Sequence, residues 1–302
     1  MDDHTKEIRE WLDRRFRMVD EQGIYLAHQP IYGFRKGHSE ERLVERYVIT
    51  LQIMKALSRI RFESLLDVGG AEGYKAALAR ELFGARVRTC DLSQEACNRA
   101  QEIFGIEGEA VDIQQLPFAN EQFDVVLCSE TLEHVPDLGR ATRELLRVAR
   151  RAVVITVPRE PREIIERNIR EHHLGAHVHA LDAKSFDRLV PVGTRVLMTP
   201  MMSSFLKIPF ALVEAVPRGQ VTRYPRALLS VYNALVPALQ WIFGRSSTLR
   251  LIRLDERLAR VASSFSGMLF VLLKDSSCLL DHPRLDVSAE RIVDFAVSPH
   301  RL

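Results

Sequence analysis

Long apolar runs are missing: no stretch of this 302-residue chain reaches the roughly 18 residues that span a bilayer. The opening MDDHTKEIREW is charged where a signal peptide would be apolar. Both absences lead to the expectation of a soluble, cytoplasmic protein. Cysteine is scarce. Cys90, Cys97, Cys128 and Cys278 form no CxxC pair and show no metal-ligand spacing, and Cys90 and Cys128 lie inside apolar runs. They read as buried free thiols of a reduced compartment. A dominant charge is also lacking. The 42 basic and 40 acidic residues leave a net +2, which argues against a protein that binds by neutralising phosphates, so no nucleic-acid partner is expected. Internal repeats and low-complexity tracts are absent too. What is present, 46% apolar and 27% charged residues, suits a folded chain near the size limit of one hydrophobic core. One large domain with an insertion is expected.

Apolar positions recur at helical spacing from Lys6 to Asp20 (Ile8, Trp11, Leu12, Phe16, Val19). They recur again after Ser39, an N-cap followed by Glu40 and Glu41, with Leu43, Val44, Tyr47, Leu51, Met54 and Leu57 on one side. The segment between, Gly23–Gly37, carries Tyr25, His28, Tyr32, Phe34, Arg35 and Lys36, too aromatic and basic for a plain connector. Residues 1–60 are therefore expected to form an N-terminal helical cap.

From Arg61 the pattern becomes strand and helix in alternation. Strands are expected at Ser64–Val68, Arg86–Cys90, Glu109–Val111, Phe123–Cys128 and Ala152–Val157, with helices at Tyr74–Phe83, Ser93–Ile103 (Ser93 as N-cap) and Leu138–Ala149. Strands apolar throughout and separated by helices mean an α/β fold with a parallel sheet covered on both faces. Beyond Pro158 the spacing predicts a helix at Lys184–Leu189, a sixth strand at Thr194–Met198 and a further strand at Met268–Leu273. Between these strands, 24 of the 39 residues from Phe205 to Phe243 are apolar, broken by Pro209, Pro217, Pro225 and Pro237. Residues 201–265 thus read as an apolar helical insertion or lid in a core made of 61–200 and 266–302.

The sharpest motif is LLDVGGAEGYKAALA, residues 65–79. A buried strand ends at Asp67-Val68, and Gly69-Gly70-Ala71-Glu72-Gly73 turns the chain into a helix. Small residues there let backbone approach a ligand beyond the carboxyl ends of the strands. A dinucleotide fingerprint would need its third glycine at 74 or 75, where Tyr74 and Lys75 stand, so an NAD site is disfavoured. Asp91 ends the second strand 18 residues past Gly73, where a carboxylate accepts bonds from ribose hydroxyls. Asp112-Ile113 past the third strand offer an acid and an apolar face to a base, and LPFANEQFDVVLCSETLEHVPD follows at 116–137. The series resembles the class I S-adenosylmethionine-dependent methyltransferases, and among them the type 11 group, over Leu65–Pro158 and more loosely to Leu189. Ala71 departs from the group's usual middle glycine.

That resemblance implies a Rossmann-like, doubly wound, mostly parallel seven-stranded sheet with S-adenosyl-L-methionine as cofactor. It implies Asp67, Gly69, Ala71 and Gly73 around the methionine part of the cofactor, and Asp91 with Leu92 at the ribose. Asp112 and Ile113 would meet the adenine, and Ser129 or Glu130 the sulfonium end. The plainer alternatives are a strand–helix turn for Asp67 and Gly73, a helix cap for Asp91 and a loop acid for Asp112.

Methyl transfer from a sulfonium is an in-line displacement in which positioning supplies much of the rate. An oxygen or nitrogen acceptor of high pKa also needs a base within hydrogen-bond reach, and histidine titrates near neutrality. His134 in SETLEHVPD, and His177 and His179 in the stretch after His172-His173, are the candidate catalytic residues, with His177 preferred to His179. The competing readings are that Glu133 and His134 orient the next helix, and that 177–182 is a cap region led by Asp182. His177-Val178-His179 on an extended segment would put both rings on one side, yet no matching acid or cysteine cluster accompanies them, so no metal is expected.

Within the insertion, Arg250, Arg253, Arg257 and Arg260 share one helix face, and Leu251, Leu254, Leu258 and Val261 the adjacent one. With Trp241 and Phe243 they form either a lid packed on the sheet, its arginines in water or paired with Asp255 and Glu256, or a surface for peripheral membrane contact through 205–261. The expected activity is methyl transfer to a small-molecule or lipid-linked acceptor, at oxygen rather than carbon. The alternative is a non-catalytic S-adenosylmethionine-binding protein whose insertion serves a partner or a membrane surface.

Overall fold

In the computed structural model Leu65, Leu66 and Val68 are all buried, as a strand covered on both faces requires, and Ser64–Val68 is β1. The structure describes residues 3–20, 23–33, 43–171, 174–206, 231, 244–259, 261 and 264–298. The strands that follow are β2 (Arg86–Asp91), β3 (Gly108–Ala110), β4 (Phe123–Ser129), β5 (Ala149–Pro158), β6 (Arg195–Ser203) and β7 (Phe265–Leu273). Among the described residues they form one seven-stranded sheet of order β3-β2-β1-β4-β5-β7-β6. β1 to β5 run parallel, while β7 runs antiparallel to both β5 and β6. The order reverses at β1, so β2, β1 and β4 end side by side, with Val68 level with both Cys90 and Cys128. A ligand crevice forms beyond such a switch point.

The helices are α1 (Asp3–Phe16), α2 (Leu43–Ser58), α3 (Tyr74–Phe83), α4 (Gln94–Phe104), α5 (Leu138–Val148), α6 (Arg162–Glu171), α7 (residues 244–258) and α8 (Ala289–Val293). Successive strand residues point to opposite faces. Val125 and Leu127 therefore pack in one core with Tyr47, Leu51 and Leu57 of α2, and Val126 and Cys128 in the other with Leu145 of α5. Two capping side chains set helix starts: Ser93 Oγ accepts from the Ala96 amide at 3.2 Å, and Asp137 Oδ1 from the Arg140 amide at 2.8 Å. All four cysteines are buried free thiols. Among the described residues no helix is long and apolar enough to cross a membrane.

Three expectations need correction, and one helix was not expected. Lys184–Leu189 is a run of turns, not a helix, held by Phe186 packed edge-on to Phe270 at 4.7 Å. Arg162–Glu171 is a helix, although its sequence is too charged to have signalled one. The insertion starts after Ser203, because β6 continues to that residue. Finally, α7 buries Leu249, Ile252 and Asp255, with Ala259 just beyond, while Leu254 and Val261 stay exposed. Of the expected stripe Leu251, Leu254, Leu258 and Val261, Leu251 and Leu258 pack on the core at the margin of a face centred on Leu249, Ile252 and Asp255. Among the described residues Asp255 pairs with no arginine; its oxygens accept the Met202 and Ser203 amides at 3.1 and 2.7 Å and so fasten α7 to the end of β6. Arg253 pairs with Glu290 and Glu256 with Lys55. Ser39, Phe34–Lys36, His172-His173, Arg260 and nearly all of the proline-broken segment, Trp241 and Phe243 included, lie outside the described residues.

Candidate functional site

The turn after β1 needs backbone that side chains resist. Gly69 has φ +69°, and a Cβ there would lie 2.2 Å from Thr131 Oγ1 on the loop after β4. Ala71 sits at φ +49°, a left-handed conformation that disfavours any residue with a Cβ. Relieving that strain predicts that Ala71→Gly stabilises the protein by about 0.5–1 kcal/mol after the glycine's extra chain entropy is subtracted. A urea melt of both proteins checks it, and an unchanged or lower midpoint would contradict the strain.

Around this turn stand carboxylates with unequal surroundings. Asp67 is 1% exposed and neither oxygen has a hydrogen-bond partner. Burial pushes its pKa up to about 6 against the pull of Lys75. Asp91 has both oxygens engaged, Oδ2 by the Ala71 amide and Oδ1 by the Ser93 amide, each at 3.0 Å. Lone pairs remain on both for a diol. Asp112 accepts the Gln114 amide at 2.8 Å and Ile113 is nearly buried beside it. Ser129 spends its hydroxyl on Thr156 at 2.7 Å. Glu130 is held at φ +53°, its amide donating to the Thr156 carbonyl, and its buried Oε1 is unpartnered. The structure thus brings Asp67, Gly69, Ala71, Gly73, Asp91, Leu92, Asp112, Ile113, Ser129 and Glu130 to the carboxyl edge of β1–β4. Orphaned acid oxygens that call for a cationic group, a carboxylate open to a diol and an apolar wall fit S-adenosylmethionine, with its ammonium, sulfonium, ribose and adenine.

A second layer was not foreseen. The segment 24–33 lies against the glycine turn through Glu72, which is fully buried. Glu72 Oε1 accepts from Tyr25 OH at 2.8 Å and from the His28 amide, with His28 Nδ1 at 3.3 Å. Burial alone would raise the Glu72 carboxyl, but the bonds from His28 and Tyr25 prevail and hold it below its usual range. One helical turn on, Lys75 Nζ donates to Gln29 at 3.0 Å. The aromatic, basic character of Gly23–Gly37 marked this segment as more than a connector; nothing in the spacing pointed to Glu72.

The candidate histidines separate into two groups. His179 Nε2 lies 2.6 Å from the Val135 carbonyl, a bond that fixes the backbone. His134 and His177 meet, their ring centroids 4.6 Å apart. His134 Nδ1 faces the Ala176 carbonyl at 3.3 Å and His177 Nδ1 faces Glu160 Oε2 at 2.9 Å. Burial first, then His177, lowers the His134 pKa to about 4, so this ring is neutral near pH 7. Glu133, 1% exposed, completes the group with Oε1 3.9 Å from His134 Nε2. Burial, followed by Glu130 and Glu160, pushes its carboxyl well above the usual range. The acids missing beside the histidines in sequence therefore arrive from the ends of β4 and β5.

Three kinds of similarity bear on this arrangement. Residues 66–156 match the family described as a methyltransferase domain. A fatty-acid O-methyltransferase of Mycolicibacterium smegmatis is 30% identical over 143 residues, 44% of this chain and 52% of that protein. A ubiquinone biosynthesis O-methyltransferase of Albidiferax ferrireducens is 30% identical over 129 residues, 39% of this chain and 50% of that protein. In general the chain spans about half or less of the curated relatives it matches. Among solved structures, the geranyl diphosphate C-methyltransferase of Streptomyces coelicolor, determined with Mg2+, geranyl-S-thiolodiphosphate and S-adenosyl-L-homocysteine, aligns with a TM-score of 0.53 at 16% identity. It covers 91% of this chain and 99% of its own, a likeness of fold.

Proposed function

With the sheet of this chain belonging to the class I S-adenosylmethionine-dependent methyltransferases, we propose that the protein methylates an oxygen of a small or lipid-linked acceptor held between the glycine turn and the Glu133–His134–His177 cluster. The observation that carries this reading is the meeting of His177 and His134 beside Glu160, at the same strand edge as the cofactor carboxylates. O-Methyltransferases of fatty-acid and quinone-type acceptors among the relatives support oxygen as the acceptor atom.

S-adenosylmethionine, when bound, supplies a methyl group on a positively charged sulfur that leaves as a neutral thioether. The chain's residues do the rest. Asp67 and Glu130 offer carboxylate oxygens to the cationic portions, Asp91 to the ribose, and Ile113 a flat apolar contact. The chain's part at the acceptor is to hold its oxygen in line with the methyl group that the cofactor would supply. The hydroxyl proton leaves to the histidine–carboxylate cluster. An imidazole whose far nitrogen is held by a carboxylate, as Glu160 holds His177, is the usual arrangement for moving a proton.

Labelled S-adenosylmethionine offered with fatty acids, phenols and quinols tests this. His177→Ala is expected to slow turnover about 10²–10⁴-fold, with S-adenosylhomocysteine binding unchanged. Turnover that survives the substitution overturns the role of His177. Cofactor binding with no transfer to any oxygen acceptor favours the non-catalytic alternative.

A further inference from the structure

The cluster has features that proton transfer alone does not need. Both imidazoles have Nδ1 committed to an oxygen, His134 to the Ala176 carbonyl and His177 to Glu160. A proton on each Nδ1, the tautomer that these neighbouring oxygens favour, leaves the Nε2 lone pairs bare. That is the outer-shell pattern of metal-binding histidines, in which a carbonyl or carboxylate on one nitrogen fixes the ring and sharpens the other as a ligand. Between them stands Glu133, 1% exposed, with Oε2 buried and without a hydrogen-bond partner. One ligand atom from each of Glu133, His134 and His177 lies within 4.8 Å of the others. Ligation at about 2.0–2.2 Å asks those atoms to close by roughly 1 Å, within reach of small side-chain rotations.

We propose that Glu133, His134 and His177 bind one divalent first-row transition ion, with Glu160 holding His177 from behind and the open positions left for an oxygen of the acceptor. Two imidazoles and a carboxylate favour zinc, iron or manganese over magnesium or calcium. Three protein ligands with vacancies are the composition of reactive rather than structural sites. The proposal deepens the oxygen-acceptor reading and rests on it for the acceptor's place: with the ion bound, His134 and His177 act as ligands in place of proton acceptors, and a substrate oxygen held beside the cofactor and made more acidic by the ion gives its proton to water.

The test separates the two claims. Tag-free protein is stripped with chelator, then dialysed against Zn2+ or Mn2+, and metal per chain is measured by mass spectrometry; S-adenosylhomocysteine binding is followed in parallel. Wild type is expected to take up one ion. Glu133→Gln and His177→Ala are expected to bind it at least tenfold more weakly. His282→Ala, an exposed histidine at the opposite edge of the sheet near the start of β1, should match wild type. Intact S-adenosylhomocysteine binding shows that a variant is folded. Should one misfold, nitrogen couplings in the spin-resonance spectrum of Mn2+-loaded wild type decide instead. Less than about a tenth of an ion per chain in wild type, equal uptake by the variants, or no imidazole coupling overturns the site. Metal uptake without S-adenosylhomocysteine binding would instead count against the methyltransferase reading.

Discussion

Asp67→Asn should leave the cofactor-free protein more heat-resistant and the site nearly unable to bind cofactor. In the folded chain the Asp67 carboxyl titrates at about 6 rather than 3.8, because it is buried with neither oxygen bonded. Between those two pH values the folded state holds more protons than the unfolded, so Asp67 lowers stability as pH rises through that window. Two units correspond to about 3 kcal/mol in full force above pH 6. The asparagine amide also lacks partners and recovers only part of this, about 1–2 kcal/mol, or a melting point higher by roughly 3–6 °C at pH 7.5. Near pH 4, where Asp67 is protonated in the wild type, the two melting curves should converge. Losing an ionised acceptor should weaken S-adenosylhomocysteine binding about 10–100-fold. A gain in melting point that persisted unchanged at pH 4 would mean that charge burial is not its cause.

Glu72→Ala is the larger blow to the fold. Its Oε1 serves the Tyr25 hydroxyl, buried with it, and the backbone of the half-buried His28. Removing it leaves buried donors unanswered and a cavity in the joint between segment 24–33 and the glycine turn. Leaving these two neutral donors unanswered costs about 2–5 kcal/mol. Residues 17–33 should become open to protease well below the temperature at which the sheet melts, and cofactor should dissociate faster because a wall of its crevice has come loose. Glu72→Gln keeps an acceptor oxygen and should fall between. Limited proteolysis with hydrogen exchange on 17–33 reads this directly. If Glu72→Ala matches the wild type in both, the segment is held by something other than this carboxylate.

How much of this was readable beforehand depended on whether the signal was local. Ser64–Val68 and Tyr74–Phe83 were placed to the residue, since Gly69 ends the strand, Gly73 and Gly84 bound the helix, and the strand carries apolar residues on both faces. MLFVLL announced a strand, but an apolar run carries no direction; that β7 lies antiparallel between β5 and β6 comes from how the chain returns. In Arg162–Glu171 only Ile164, Ile165 and Ile169 are apolar, and just Ile165 is buried. The residues proposed to hold the cofactor belong to one strand–turn–helix unit and its neighbours, so their order along the chain mirrors their order in space. The His134–His177 meeting joins residues 43 positions apart and draws in Glu160 from a third place. Glu72 meets a segment more than forty residues earlier. Such pairings are decided by tertiary packing and leave no periodic trace.

The ends of the segment between β6 and β7 meet. Ser203 pairs with Phe265, the Ser204 amide donates to the Ser264 carbonyl at 3.2 Å, and the two serine hydroxyls are 2.9 Å apart. Whatever lies between is hung from a hairpin already closed at its base, so its length scarcely enters the energetics of the sheet: doubling such a loop adds only about 0.6 kcal/mol of closure entropy. Lineages are then free to lengthen, shorten or exchange this segment while the cofactor edge of β1–β4, on the far side of β5, keeps its geometry. For an engineer the same neck is a grafting point, where a foreign segment can be spliced between Ser204 and Ser264. A replacement would have to reproduce the grip of Asp255 on the end of β6 and the burial of Leu249 and Ile252 against the core.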